Sequence, residues 1–136
     1  MSGKTLEITS EQLIKLAGET YQNSGALKPE ILHSLYLLHG QTLLSALDLI
    51  DNEKVTIIEC PSGRWVYKVI GGSGAYYTLL PNLSFCQCPA YKYSVLKRKD
   101  SLVCKHVLAA KLSSAMKIIK REEISNDSMI DVILNV

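Results

Sequence analysis

A chain of 136 residues, 47% hydrophobic and 21% charged, has the length and composition of a single soluble domain that can bury a core without covalent staples. Its apolar runs all fall short of the roughly 18 residues needed to cross a bilayer, and the opening MSGKTLEITSEQL lacks the apolar core of a signal peptide. An intracellular protein without membrane contact is expected, and there clustered cysteines bind metal more often than they pair as disulfides.

Residues 1–52 read as a helical region. Thr9 followed by Gln12 resembles a capping box, and Leu13, Ile14, Leu16, Ala17 and Tyr21 then supply a helical apolar face. Asn23 to Gly25 break it. Pro29 suits a first helical turn, and Ile31, Leu32, Leu35 and Leu38 form a second stripe that ends at Gly40. QTLLSALDLID gives a third helix through Leu43, Leu44, Leu47 and Ile50. His33 and His39 lie here with no cysteine nearby and are expected to pack or face solvent. The leucine-rich stripes exceed what a small monomer needs to bury, so one of them is a candidate for docking a partner.

The period changes from residue 53. KVTIIEC and RWVYKVI are β-branched and aromatic, joined by the turn signal PSG, and AYYTLLP follows GGSG. Three strands in an antiparallel meander are expected. GGSG is a turn and not a nucleotide fingerprint, because the later glycine of GxGxxG is missing and no helix follows it. Cys60 closes the first strand as a small buried hydrophobe. Beyond residue 104 a long helix is expected from Lys105 to Lys120, with Leu108, Leu112, Ala115, Met116 and Ile119 on one face. Ser125 or Asn126 would cap a last helix. The fold class is therefore α+β: a helical region at 1–52, then a meander, a cysteine-bearing knuckle and a long helix at 53–136, the two parts forming one compact unit.

Charge is distributed unevenly behind the net value of +2. Residues 1–52 carry three bases against six acids, residues 53–121 twelve against three, and the remainder four acids and no base. The bases gather around CQCPAYKYSVLKRKDSLVCKH, residues 86–106, which holds three of the four cysteines and one of the three histidines. A basic segment of this kind attracts polyanions, nucleic acid foremost, although it also serves as a plain solvated face.

Four explanations compete for Cys86, Cys88, Cys104 and His106: a disulfide staple, a catalytic metal, a structural metal, or chance. Cys-x-Cys, fifteen intervening residues, and Cys-x-His supply four ligands and no spare, which is the closed set of a structural zinc. A catalytic zinc keeps a position open for water and needs a base beside it; Asp100 is the one acid between the pairs. An enzyme is not expected. Residues two apart diverge on a helix and stand roughly 6.5 Å apart on a strand. Cys86-Gln87-Cys88 should therefore form a tight turn at a strand end, and Cys104-Lys105-His106 the first turn of the long helix, whose dipole would favour the Cys104 thiolate. Between the pairs, Tyr91 and Tyr93 alternate with Lys92, Lys97, Arg98 and Lys99. That mixture suits single-stranded nucleic acid, while the plain alternative packs the tyrosines and solvates the bases. Lys97, Arg98 and Lys99 form an exposed basic loop and are the candidate nucleic-acid or partner contacts.

The C-x-C…C-x-H pattern, with a strand before it and a helix opening at C-x-H, resembles the SWIM zinc finger. ALDLID at 46–51, PSGRWVYKV at 61–69 and CQCPAYKYSVLKRKDSLVCKHVLA at 86–109 make the chain similar to the SWIM-domain subunits of Shu complexes, from about Leu27 to Ile119. The resemblance implies one structural zinc held by Cys86, Cys88, Cys104 and His106, with Ala109 at a position the motif favours. It further implies a nuclear, non-enzymatic homologous-recombination factor. Such proteins pair with a RecA-family paralogue and support recombinase filaments on single-stranded DNA. The alternative is a stand-alone SWIM module that binds nucleic acid directly.

Overall fold

Residues 3–99 and 101–136 are described by the computed structural model. Helix α1, Gly3–Ser24, starts two turns before the expected cap. Thr9 lies inside it and donates its hydroxyl to the Thr5 carbonyl at 2.9 Å. The buried stripe extends back from Ala17 and Ile14 to Ser10, with Tyr21 and Leu6 half-buried at its two ends. A polar residue thus interrupts the apolar pattern, and Ser10 is accommodated because its Oγ lies 2.7 Å from His39 Nε2. Gly25, at φ 75°, closes the helix in the left-handed region that glycine occupies freely.

Helices α2, Pro29–His39, and α3, Gln41–Asp51, follow the expected stripes and meet at Gly40. Leu43, Ala46, Leu49 and Ile50 of α3 are buried, as are Ile31 and Leu35 of α2, whereas Tyr36, Leu37 and Leu44 face outward. His33 is exposed.

Strands β1, Val55–Glu59, β2, Trp65–Ile70, and β3, Tyr76–Leu79, form the expected antiparallel meander, with Val55 opposite Val69 and Tyr67 opposite Leu79. The sheet is larger than expected and mixed. A strand β4, Lys120–Glu123, pairs parallel to β1 to give the order β3-β2-β1-β4. It takes the place of the end of the long helix, because α4 spans only Lys105–Met116. Lys117 adopts the left-handed conformation (φ 58°, ψ 36°) and its N–H reaches back to the Ser113 and Ser114 carbonyls, terminating the helix. Helix α5, Asn126–Leu134, is capped as anticipated: the Ser125 side chain accepts from the Ser128 N–H at 3.1 Å.

The sheet separates two cores. On one face Val55, Val69 and Leu79 pack with α1, α3 and α4 in a cluster that takes in Ile14, Leu43, Leu108, Leu112 and all three cysteines of the 86–106 segment. On the other, Met129 of α5 fills a smaller cluster with Ile58, Cys60 and Val66. Cys60 is accordingly a core residue far in function from the other cysteines, as its isolation suggested. Helix α4 runs through the larger cluster with eight buried residues, so whatever fixes its N-terminus fixes the centre of the molecule.

Candidate metal centre

Cys104 is the residue before α4, extended at φ −80° and ψ 166°, and His106 is the second residue within it. The first helical turn thus carries one ligand pair, as the spacing required. The other pair differs from expectation. Strand β3 ends at Leu79, and Cys86 follows in an irregular segment that bends at Cys88, where Pro89 opens a helical stretch. The knuckle is therefore built against a helix start and not at a strand end. Of the expected basic loop, Lys97 belongs to a helical stretch instead, since Tyr91–Lys97 is π-helical with the Arg98 N–H closing onto the Tyr93 carbonyl at 2.8 Å, while Arg98 and Lys99 follow it outside any helix.

All four side chains are buried, and their donor atoms lie within 4.8 Å of one another. Cys86 Sγ stands 3.8 Å from His106 Nδ1. Around a tetrahedral zinc with Zn–S near ~2.3 Å and Zn–N near ~2.0 Å, neighbouring donors sit roughly 3.5–3.8 Å apart, so this set of three sulfurs and one nitrogen fits the ion with small adjustments. None of the four cysteines is bonded to another. The residues are positioned to hold one zinc, and with four protein donors the coordination shell is complete.

Surrounding groups hold the ligands. The Tyr91 N–H points at Cys88 Sγ, 3.3 Å away, a donor suited to a thiolate. The His106 ring leans on Tyr77 of β3, with centroids 4.5 Å apart, and its outer nitrogen faces Gly71. A methyl group built on Gly71 would lie 3.3 Å from the Tyr77 ring and 3.5 Å from His106 Nε2. The GGSG turn thus has a use that its sequence did not reveal: its first glycine lets the meander close over the histidine. No local sequence signal links residues 71 and 77 to a ligand at 106.

Three thiols this close do not all ionise without a cation. Hydrogen bonds from Cys104 and then Cys86 hold Cys88 well below the usual thiol range. Cys104 is pushed up by its contacts with Cys86 and Cys88 and by burial; these outweigh the helix dipole from which a low value was expected. Cys86, despite a hydrogen bond with Cys104 that acts downward, is pushed up to about 11 by Cys88 and by burial. Zinc must displace the protons of the raised thiols, so the loaded form gains as pH rises and loses as it falls. Metal content after dialysis is expected to drop in step with acidification; full retention in strongly acidic buffer would contradict a thiolate-held ion.

Lys97, Arg98 and Lys99 are exposed at the end of the π-helical stretch, and no ligand of the cluster lies among them. Asp100 lies outside the described residues. His39 packs in the α1–α2 region, its imidazole kept below the ordinary histidine value by burial and then by Lys111. Lys111 in turn pairs with Glu11 and bonds Ser84 at 3.0 Å, tying α4 to α1 and to the segment that leads into Cys86.

Residues 67–115 match the SWIM zinc finger family, a span that runs from β2 through both ligand pairs to the end of α4. Over 131 residues the chain is 39% identical to zinc finger SWIM domain-containing protein 7 of Danio rerio, covering 96% of this chain and 94% of that one. The Mus musculus protein of the same name is 40% identical over 128 residues, 94% of this chain and 84% of its own. For the Homo sapiens protein the values are 40% over 124 residues, 91% and 89%. No solved structure matches the chain. With near-complete coverage in these relatives and a closed Cys-Cys-Cys-His cluster inside the matched span, the chain belongs to the SWIM zinc finger family, among the relatives named zinc finger SWIM domain-containing protein 7.

Proposed function

We propose that the protein is a non-enzymatic zinc-binding subunit of a Shu-type complex, which pairs with a RecA-family paralogue and supports recombinase filaments on single-stranded DNA during homologous recombination. The observation that carries this is the closed four-donor cluster set within sequence words that resemble the SWIM-domain subunits of those complexes. A filled coordination shell leaves no position for an activated water, which favours an architectural role over hydrolysis. The outward apolar residues of α2 and α3 favour an obligate partner: Leu37 is 71% exposed, and Tyr36 and Leu44 accompany it. Work on chromosomal DNA would place the protein in the nucleus.

Capture of the tagged full-length chain from cells, followed by mass spectrometry, is expected to recover a RecA-like subunit in near-equal amount. Leu37→Asp should abolish that recovery while leaving zinc content unchanged, since the side chain is exposed. Recovery of no RecA-like protein would refute the pairing. A second reading, a stand-alone module that binds nucleic acid, is favoured by the basic residues between the ligand pairs; it requires tight, salt-sensitive DNA binding in the absence of any partner.

A further inference from the structure

The two tyrosines between the ligand pairs have separate fates. Tyr91 packs against the main core and meets Phe85 edge-on, with centroids 5.4 Å apart. Tyr93 is 48% exposed, and its ring is attended by two ammonium groups, Lys97 Nζ at 5.2 Å from the centroid and Lys92 Nζ at 6.0 Å. The π-helical turn produces this grouping. Closure from residue i to i+5 sets Lys97 about one turn beyond Lys92, and the ammonium groups of both reach the ring between them. Arg98 and Lys99 continue the positive surface. Between Cys86 and His106 five bases stand against the single acid Asp100. The stretch is held at both ends, by Cys88 with the Lys92 N–H on its carbonyl at 3.3 Å and by Cys104 at the start of α4.

From this we infer that Tyr93 is a stacking platform for an unpaired base, with Lys92, Lys97 and Lys99 taking the flanking phosphates, so that this chain itself contacts single-stranded nucleic acid. An aromatic face held out among cations matches what unpaired bases require: a base–aromatic stack contributes most of the contact and the backbone charge supplies attraction. Duplex DNA keeps its bases stacked on each other and offers no free face, so it should bind more weakly. The lysine stems are flexible, and their ammonium groups can leave the ring for a phosphate as a base arrives. This rests on the reading that the protein works on single-stranded DNA, and it does not rest on pairing with a RecA-like subunit.

The test uses the zinc-loaded full-length chain and a fluorescein-labelled thymidine oligomer of roughly 20 nucleotides, longer than one such site needs. Binding is expected to be salt-sensitive and stronger than to a duplex of equal length. Tyr93→Ala should weaken it about tenfold, Tyr93→Phe should retain it, and Lys97→Ala should lower the salt slope by about 0.7. Zinc content and Trp65 emission should be unchanged in all three. An oligomer carrying 5-iodouracil should crosslink to Tyr93 in the unmodified protein, a readout that needs no folded variant. The inference is overturned if Tyr93→Ala binds like the parent, or if crosslinks form only elsewhere. It is equally overturned if polyglutamate competes as well as the oligomer, which would mark the face as a dock for an acidic protein. Loss of strand binding with partner capture intact removes this inference alone; the reverse result removes only the pairing.

Discussion

Removing the zinc, or one of its ligands, is expected to unfold the sheet and the 80–104 region together. The reason lies in what else holds that region. Among the described residues between Leu79 and Cys104 there is no regular strand, the π-helical stretch buries no residue completely, and the backbone bond leading toward the first ligands is long, Leu83 N–H to the Leu80 carbonyl at 3.4 Å. Order there comes from Cys86, Cys88, Cys104 and His106, which are also part of the main core. Structural zinc contributes apparent binding energies of about 10–16 kcal/mol in small zinc-dependent folds, against total stabilities of roughly 5–15 kcal/mol for a domain. The metal term is as large as the whole margin.

Trp65 provides the measurement. It is the one tryptophan of the chain, lies on β2 and meets Tyr67 edge-on at 5.0 Å, while β2 and β3 pack over His106 through Tyr77. Chelation should shift its emission to the red and remove the cooperative thermal transition. Cys104→Ser and His106→Ala should reproduce both effects with zinc present. His106→Cys separates metal from packing: it keeps four donors but loses the contact with Tyr77, so it should bind zinc and melt several degrees lower. A chelated protein that kept its Trp65 emission and its melting temperature would show that the cluster is ornamental to the fold.

The parts of this arrangement that were legible in the sequence are those governed by residue type and short spacing. Two close Cys/His pairs can reach one ion only from special backbone geometry, so the ligands and the helix start at Cys104 followed directly. The meander followed from β-branched runs broken by PSG and GGSG. Other parts depend on contacts between distant segments. Strand β4, Lys-Arg-Glu-Glu, has no apolar alternation because it is an exposed edge, and charge on an edge strand guards against unwanted pairing. It exists because β1 offers an open side. Lys117 carries no glycine signal for the left-handed turn that ends α4, and Ile119 falls on the helical stripe by coincidence of spacing. Ser10 hid two turns of α1, since its partner His39 is 29 residues away. The π-helical stretch is set by ligands pinned at both of its ends, a constraint invisible within the stretch itself.

Gly18→Ala should destabilise the protein by about 2 kcal/mol, although the same change in an exposed helix would gain up to about 1 kcal/mol from helix propensity. Helices α1 and α4 cross at this glycine. A Cβ placed there would stand 2.5 Å from the Ala115 carbonyl oxygen and 2.8 Å from its carbon. The obstacle is backbone, so no rotamer relieves it and one helix must move. Movement is costly here: Ala17 beside it has no exposure, and Leu112 and Met116 of α4 are fully buried. The Gln22 amide that donates to the Met116 carbonyl at 2.6 Å would be drawn away from the end of α4. Separating the helices by even part of an ångström opens gaps along the whole contact and forfeits dispersion energy on both sides. The steric term therefore wins over propensity. Gly72→Ala is the control, since a methyl group there meets nothing within 4 Å and should be neutral or slightly stabilising. In thermal melts of the zinc-loaded protein the first variant is expected to fall by about 6–8 °C, with zinc content retained because the crossing lies three turns along α4 from the ligands. A Gly18→Ala melting temperature equal to that of Gly72→Ala would mean that the two helices do not approach this closely in solution.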